Sequence, residues 1–284
     1  MHRILSFLLL IISSNLFGQE AKHIFVCVDN HKSEYTVYYV NEFEPTKNWT
    51  FKTPKKPRDL QLWNDNRTVL VSQDNGAIEL DIATGQPTGF KITGHRGVTS
   101  ARRLKDGRIL IGGSGKIKLL DAQGEFIRNI PLPKTPKAEI RLMEVSENNT
   151  LFYSCTSPYC LVEIDLEGQV LQQVPLPQKG YKQYQIENGN FLVSGGPAAS
   201  LYEIDNKGKI INTWGGKNNF PELQLWDCSG WDQLDNGNIV MTCWHGHGYK
   251  GSGPDIVEFN ADNQALWSWN SKEAKYLTNV LVIK

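Results

Sequence analysis

Two histidines separated by one residue are the strongest chemical signal in the sequence. His245 and His247 lie in the segment Trp244-His-Gly-His-Gly-Tyr, and an extended chain points both imidazoles to one side. Such a pair can share a metal ion, contact an anion, or act as acid and base. The catalytic candidates are therefore His245, His247 and Asp232, and a divalent metal would also recruit Asp227. The flanking glycines equally favour a structural turn without any ligand.

Basic side chains precede several apolar segments at matching distances. Arg58, Arg141 and Lys182 stand four residues before the first apolar residue of a segment, and Arg102 stands two residues before. Because side chains alternate along a strand, both positions fall on one face, which we expect to point into the upper part of a central channel. A ring of such cations would attract an anionic ligand, which arginine binds through two parallel hydrogen bonds. The alternative is that each cation pairs with a nearby carboxylate.

Aromatic side chains add to the candidate ligand site. Trp226, Trp231 and Trp244 surround one apolar segment, and aromatic rings with a polar edge suit sugars and amphipathic ligands. Tyr184 occupies the same strand position as Arg102. The predicted ligand-binding set is Arg58, His95, Arg102, Arg141, Lys182, Tyr184, Trp226, Trp231 and Trp244. The alternative for the tryptophans is ordinary packing between sheets.

The elements that must position these residues form an internal repeat. Five segments combine an apolar residue, a short turn rich in Asn, Asp and Gly, and an apolar strand. They begin at Leu62, Leu104, Val145, Ile186 and Leu234, at intervals of 42, 41, 41 and 48 residues. A second turn of the same kind, such as Asp121-Ala-Gln-Gly, follows in each unit. Two hairpins make four strands, here called A to D, and this period predicts the blades of a β-propeller.

The two ends of the chain complete one further blade. Residues 23–28, 35–40 and 48–52 correspond to strands B, C and D of a unit that lacks strand A. Residues 277–283 form one more apolar strand, which would supply it. The sequence therefore predicts an all-β fold, a six-bladed propeller with four-stranded blades, as a single domain over residues 23–284. The C-terminal strand joins the N-terminal blade and closes the ring.

The connections of a propeller divide into two groups. The D-to-A connections and B-to-C loops lie on one face, here called the loop face, and the A-to-B and C-to-D turns lie on the other, the turn face. In this sequence the turns are short, whereas the loop face receives long segments such as 217–227 and 244–255. Because loops carried by a rigid scaffold commonly bind ligands, we expect the binding site on the loop face.

These patterns resemble the six-bladed propellers of secreted bacterial proteins, within a broad superfamily of quinoprotein-like, NHL-type and arylsulfotransferase-like propellers. The resemblance covers residues 23–284 and implies the fold. Glu79-Leu-Asp-Ile-Ala-Thr-Gly is similar to the blade motif of quinoprotein dehydrogenases. Those rings have eight blades and a tryptophan that recurs after the motif, whereas here the motif occurs once and is followed by Phe90. The resemblance therefore implies neither a quinone cofactor nor a sulfotransferase histidine.

The first residues read as a secretory signal. His2 and Arg3 give a basic start, residues 4–12 form an unbroken apolar run, and small residues up to Gly18 follow. Nine apolar residues are too few to span a bilayer, so we predict that residues 1–18 are cleaved. The mature protein is expected in the periplasm or outside the cell, without a transmembrane segment.

The net charge bears on the kind of partner, and the cysteine spacing bears on disulfide formation. Lys plus Arg and Asp plus Glu both number 30, so the formal net charge is zero. A nucleic-acid partner, which requires surplus positive charge, is not expected. Cys155 and Cys160 flank a predicted turn and could form a disulfide in an exported protein. No cofactor is predicted beyond the candidate metal ion.

Three functions are compatible with these residues. The first is an exported, monomeric propeller that binds a small anionic or carbohydrate ligand on the loop face. The second is an enzyme of the lyase, lactonase or sulfotransferase type, in which His245 or His247 transfers a proton and the cations stabilise developing negative charge. The third is a scaffold for protein interaction, in which the tryptophans form an exposed patch.

Overall fold

Turn residues at equivalent positions set the repeat. In the C-to-D turns of three blades, Asp121, Asp165 and Asp205 each accept hydrogen bonds from the backbone N–H groups two and four residues later. A glycine follows each aspartate by three residues, with φ of 90°, 85° and 82° respectively. Such left-handed backbone favours glycine, because a Cβ atom would clash. The same tight hairpin therefore forms in blades 3, 4 and 5.

The structure is a computed structural model that describes residues 21–246, 248–249 and 251–283. The predicted signal peptide, residues 1–18, lies outside this part. In chain order, the strands of the first three blades are β1 (Ile24–Asp29), β2 (Thr36–Asn41), β3 (Trp49–Lys52), β4 (Pro57–Trp63), β5 (Thr68–Gln73), β6 (Gly76–Asp81), β7 (Pro87–Ile92), β8 (Ser100–Arg103), β9 (Ile109–Gly113), β10 (Lys116–Leu120) and β11 (Phe126–Ile130).

The remaining strands build three further blades and close the ring. They are β12 (Lys137–Ala138), β13 (Glu144–Val145), β14 (Leu151–Thr156), β15 (Cys160–Ile164), β16 (Val170–Pro175), β17 (Gln183–Gln185), β18 (Phe191–Ser194), β19 (Ser200–Ile204), β20 (Ile210–Gly215), β21 (Trp231–Gln233), β22 (Ile239–Thr242), β23 (Ile256–Phe259), β24 (Ala265–Trp269) and β25 (Leu277–Val282). Short 3₁₀ turns lie at Pro45–Lys47 and Pro221–Leu223. No helix in the described ranges is long and apolar enough to cross a membrane.

The six antiparallel sheets confirm the predicted propeller. Blade 1 has the order β25–β1–β2–β3, so the last strand of the chain is the inner strand of the first blade. Phe25 lies opposite Val282 and Cys27 opposite Val280 in this pairing. Blades 2, 3, 5 and 6 are β4–β7, β8–β11, β17–β20 and β21–β24. The two ends of the propeller domain are thus held together by a strand ladder.

The inner strand of blade 4 is interrupted. Instead of one continuous strand, β12 and β13 both pair with β14, and residues 139–143 between them leave the ladder. Leu142 donates its backbone N–H to the carbonyl of Tyr181 in the next blade at 3.1 Å. The interruption carries Arg141 away from the sheet and towards the loop face.

The apolar core lies between the blades. Each of the six buried clusters combines side chains from two neighbouring sheets, as Leu110 and Ile117 of blade 3 do with Tyr153 and Val162 of blade 4. Burial of apolar surface therefore holds each blade against its neighbours, and the ring is stable only when it is closed.

The cysteines belong to this core. Cys155 and Cys160 face each other across β14 and β15, and both are buried. All five cysteines are free thiols, so the structure does not show the predicted disulfide. The two side chains fill space in the cluster between blades 3 and 4.

A buried network of charges crosses the channel. Arg102 of blade 3 contacts Asp59 of blade 2 at 2.7 Å and Glu144 of blade 4 at 2.8 Å, and its side chain is 3% exposed. Asp59 also accepts hydrogen bonds from Ser100 and from Asn279 of the closing strand. Lys182 of blade 5 lies 3.5 Å from Glu144 and donates to the Trp231 carbonyl of blade 6 at 2.7 Å. The network thus connects all six blades.

Mutual attraction favours the charged forms of Arg102 and Glu144. Burial disfavours the charge on Arg102, but Asp59 and Glu144 outweigh it and raise the pKa of Arg102 above its ordinary value. Burial likewise opposes ionisation of Glu144, but Arg102 and Lys182 hold the pKa of Glu144 below its ordinary value. At Asp59, burial outweighs the attraction of Arg102 and raises the pKa above its ordinary value, so the charged state is favoured on both sides only in the Arg102–Glu144 pair.

We expect Arg102→Met to destabilise the fold strongly. Removing Arg102 leaves the buried Asp59 without its cation and leaves Glu144 with Lys182 alone, and breaking such a buried ion pair costs about 3–5 kcal/mol. Arg128→Met is the matched control, because its pair with Glu167 lies at the surface and is worth less than about 1 kcal/mol. Urea denaturation followed by circular dichroism measures both. Similar losses in the two variants would contradict a structural role for the network.

Candidate functional site

A pocket opens at the loop-face mouth of the channel. It has a volume of about 280 Å³. Its polar and aromatic lining comes from the connections that enter inner strands and from the B-to-C loops: Asn30, Lys56, Arg58, Arg141, Tyr181, Asp227, Ser229, Trp244 and Thr278. Here it is called the mouth pocket. Three members of the predicted ligand-binding set, Arg58, Arg141 and Trp244, meet there.

Arg58 is the chemically unusual group in the mouth pocket. It occupies the second position of β4, where the connection from blade 1 enters the channel. Its Nε atom is buried and has no hydrogen-bond partner, and among the described residues no carboxylate lies within ion-pair distance of its guanidinium. Burial and the neighbouring positive charge of Arg141 lower the pKa of Arg58.

The other cations of the mouth pocket reinforce its positive potential. Burial and then Arg58 lower the pKa of Lys56 below its ordinary value, although Asp74 acts in the opposite direction. Arg141 donates to Glu139 at 2.6 Å and lies 5.8 Å from the ring of Tyr181. Glu139 therefore fixes the direction of Arg141, whereas no carboxylate of the described residues pairs with Arg58 or Lys56. An anion in the pocket would relieve the repulsion between these cations.

Aromatic rings border the same pocket. Tyr181 is flanked by Arg141 and by Lys179, whose Nζ lies 5.5 Å from its ring. Trp244 packs against Tyr276 with 5.4 Å between ring centroids. Burial and the nearby Asp227 carboxylate raise the pKa of Tyr181, so its hydroxyl remains a hydrogen-bond donor at neutral pH. The mouth pocket therefore combines cationic and aromatic side chains.

The other predicted channel residues face the opposite end, contrary to expectation. Arg102, Lys182, Tyr184, Trp231 and Asp232 line a cavity of about 440 Å³ beside the turn face. A strand advances about 3.3 Å per residue, so positions two residues apart lie at different depths even when they share a face. Lys182, which was expected beside Arg58, instead turns inward to its buried partners. The predicted single ring of four cations is therefore wrong.

The cations at this second end are compensated. Arg102 and Lys182 pair with the carboxylates of the buried network, as the alternative interpretation of the sequence proposed. Asp232 accepts hydrogen bonds from the backbone N–H groups of Gln233 and Val282. These groups hold the inner strands together, and they leave no excess positive charge for an anion.

His95 lies apart from the channel, at the rim of blade 3. Its Nδ1 is 3.1 Å from Nζ of Lys118. Burial and the Lys118 charge lower the pKa of His95, so its imidazole is neutral at pH 7. His95, Lys116 and Lys118 line two surface grooves of about 490 and 680 Å³, and Arg96 lines the first of them. His95, Arg96, Lys116 and Lys118 are here called the rim cluster.

The histidine pair of blade 6 is only partly described. Nδ1 of His245 lies 3.3 Å from a carboxylate oxygen of Asp255, and the ring stacks on Tyr249 at 4.2 Å. Its Nε2 is buried without a hydrogen-bond partner in the described part of the chain. His247 lies outside that part. The sequence did not single out Asp255, which follows the loop and becomes a partner only when the loop folds back.

The candidate metal site can be compared with the structure only in part, because His247 lies outside the described residues. Within residues 21–246, 248–249 and 251–283, no three His, Cys, Asp or Glu side chains lie close enough to hold a metal ion. Asp227 lines the mouth pocket, whereas the described contact of the His245 imidazole with a carboxylate is to Asp255.

The three tryptophans do not form one surface. Trp231 is 3% exposed and lies beneath Lys182 at 5.1 Å. Trp226 lies in the loop before β21, where Nζ of Lys217 sits 3.9 Å from its ring and its Nε1 donates to the Gly246 carbonyl. Trp244 belongs to the mouth pocket. The flat exposed patch expected of a protein-interaction scaffold is therefore not formed by these residues.

Fold and pocket together define a six-bladed β-propeller with a cationic mouth. A protein of unknown function from Bacteroides caccae superposes with a TM-score of 0.75 at 19% identity, over 93% of this chain and 100% of its own. A catalytically inactive histidine variant of virginiamycin B lyase from Staphylococcus aureus, with quinupristin, gives 0.59 at 12% identity, over 90% and 89%. A chain of a nidogen/laminin complex gives 0.65 at 10% identity, over 93% and 99%.

These similarities establish the fold alone, because each identity is low. No protein-family model matches the sequence, and no curated protein matches it significantly. The activity must therefore be argued from the site itself.

We expect Arg58→Met to stabilise the ligand-free fold. The substitution removes a buried, unpartnered polar atom and the repulsion from Arg141, which together are worth about 1 kcal/mol or more. Urea denaturation in a buffer of weakly binding anions measures the change. Sulfate should raise the unfolding free energy of the unsubstituted protein more than that of the variant. A destabilised variant would show instead that Arg58 has a structural partner.

Proposed function

We propose that the protein is an exported propeller that binds a small anionic ligand, such as an acidic carbohydrate, in the mouth pocket. The observation that carries this proposal is Arg58, a largely buried guanidinium beside Arg141 and Lys56, for which the described residues supply no carboxylate partner. Burying an uncompensated charge is costly, and a bound anion removes the cost. Export rests on the predicted signal peptide, which lies outside the described residues.

The size and lining of the pocket favour a sugar acid. A volume of about 280 Å³ is at the lower limit of small-molecule sites, which suits one ring with a charged substituent. Tyr181 and Trp244 can pack against the ring, while Arg58 and Arg141 hold a carboxylate or sulfate. Asp227 and Ser229 offer acceptors for hydroxyl groups.

We expect Arg58→Ala and Arg141→Ala to weaken binding of galacturonate or sulfate by at least about tenfold each. Losing one charge-assisted hydrogen bond costs about 1.5–3 kcal/mol. Isothermal titration calorimetry measures the affinities, with galactose as the neutral counterpart. Arg108→Ala is the control, since Arg108 pairs with Asp106 on the turn face. Equal affinity for galactose and galacturonate, or unchanged affinity in Arg58→Ala, would contradict the proposal.

An enzyme of the lyase type is the second candidate, because His245 and Asp255 form a dyad. Asp255 can accept the Nδ1 proton of His245, which leaves the Nε2 lone pair available as a base. In elimination from a uronide, the base removes the proton beside the carboxylate, the bond to the leaving oxygen breaks, and that oxygen takes up a proton. The virginiamycin B lyase neighbour, which loses activity in a histidine variant, supports this candidate.

If the dyad is catalytic, His245→Gln abolishes formation of an unsaturated product from oligogalacturonate, and it leaves binding intact. Ultraviolet absorbance of the product measures the reaction. His31→Gln is the control, because His31 is a loop-face histidine that packs against Tyr276. Absence of product from the unsubstituted protein would exclude this activity for uronides and leave the binding proposal standing.

A further inference from the structure

The mouth pocket continues into the rim cluster through a single turn. The B-to-C turn of blade 2 is formed by Asp74 and Asn75. The backbone N–H of Asp74 donates to the Lys56 carbonyl at 3.0 Å, and the N–H of His95 donates to the Asn75 carbonyl at 3.2 Å. Lys56 lines the pocket and His95 belongs to the rim cluster. Two such contacts and one peptide unit place their Cα atoms no more than roughly 15 Å apart.

The rim cluster is itself an uncompensated group of cations. Arg96 and Lys116 are exposed, and Lys118 is half-buried. No carboxylate in the described ranges lies within 4.0 Å of Arg96, Lys116 or Lys118. Because His95 is neutral and holds the Lys118 ammonium at 3.1 Å, it directs that charge without adding to the repulsion. The grooves beside the cluster give it a concave surface, which suits a chain-like ligand better than a flat membrane.

The charge of the molecule is divided between its two faces. The C-to-D turns place carboxylates on the turn face, at Asp81, Asp121, Asp165 and Asp205. The loop face presents lysines and arginines in its connections, including Lys55, Lys134, Lys179 and Lys217. Although the net charge is zero, positive charges predominate on the loop face and negative charges on the turn face. This separation attracts a polyanion to the loop face and repels it from the turn face.

We infer that the ligand is an acidic oligosaccharide that binds the mouth pocket with one residue and extends across the Asp74–Asn75 turn onto the rim cluster. This inference rests on the proposed function, since it gives the pocket a chain-like substrate. Each further acidic residue that reaches Arg96, Lys116 or Lys118 adds a contact at high effective concentration, so affinity increases with chain length.

The test uses galacturonate and its oligomers of increasing length, with heparin-derived oligomers in parallel, and isothermal titration calorimetry on the mature protein. We expect the affinity of one series to rise at least tenfold from the shortest to the longest member. The double variant Lys116→Ala/Lys118→Ala should lose this gain and keep its affinity for the shortest member. Arg58→Ala should lose affinity for both. The matched control, Lys105→Ala/Lys207→Ala, removes two exposed lysines from the turn face and should change nothing.

The outcomes separate the two proposals. Binding of the shortest member without a gain in longer ones overturns the oligosaccharide and leaves the proposed function intact. Failure of every member to bind overturns both. Binding of phosphatidylglycerol vesicles that depends on Lys116 and Lys118, with no gain along either oligomer series, would make the rim a membrane contact and overturn the inference. Circular dichroism of each variant establishes that it is folded.

Discussion

The propeller depends on one buried guanidinium. Arg102 lies between Asp59 and Glu144, which come from the blades on either side of its own. Hydrogen bonds extend this contact to the closing strand through Asn279, and Lys182 extends it to blades 5 and 6. Apolar packing holds each blade against its two neighbours. The ion pairs and hydrogen bonds of the network at the axis join all six blades. This network fixes the inner strands, and the inner strands position the residues at both mouths of the channel.

The two ends of the channel differ in how their charges are balanced. At the turn face, every cation of the network has a carboxylate partner, so that end is electrostatically satisfied. At the loop face, burial and the charge of Arg141 lower the pKa of Arg58, Asp74 opposes them, and no carboxylate of the described residues pairs with its guanidinium. Residues that lower the stability of the fold and make no compensating structural contact are typical of functional sites. This difference in charge balance, more than the shape of the pocket, is the basis for proposing a ligand at the loop-face mouth.

The ring could be predicted from the sequence because its signals are local. Turn residues such as Asp121 and Gly124 act within four positions, and the spacing of the turns counts the blades. Residues 277–283 were correctly placed in the first blade, since apolar periodicity and register extend to the end of the chain. The mouth pocket was predicted in part, through Arg58, Arg141 and Trp244.

The errors concern interactions between blades. The depth of a side chain in the channel depends on where its strand enters the ring, so the sequence placed Lys182 beside Arg58. The interruption that turns Arg141 outwards depends on a contact between Leu142 and the next blade, which no local pattern reveals. Tyr181 and Lys56 were not predicted for the same reason. Each lies in a connecting loop, and only the packing of several blades brings them into one pocket. Asp255 becomes the partner of His245 only through loop closure.

The central claim is that Arg58, whose Nε is buried and which has no carboxylate partner among the described residues, binds an anion. A crystal structure of the mature protein grown with selenate tests it directly, because selenium gives an anomalous signal that locates the ion. The account predicts a peak in the mouth pocket within hydrogen-bond distance of the Arg58 guanidinium, and its loss in Arg58→Met crystals. An Arg58 side chain paired with a carboxylate of the protein, and a pocket without selenate, would contradict the account.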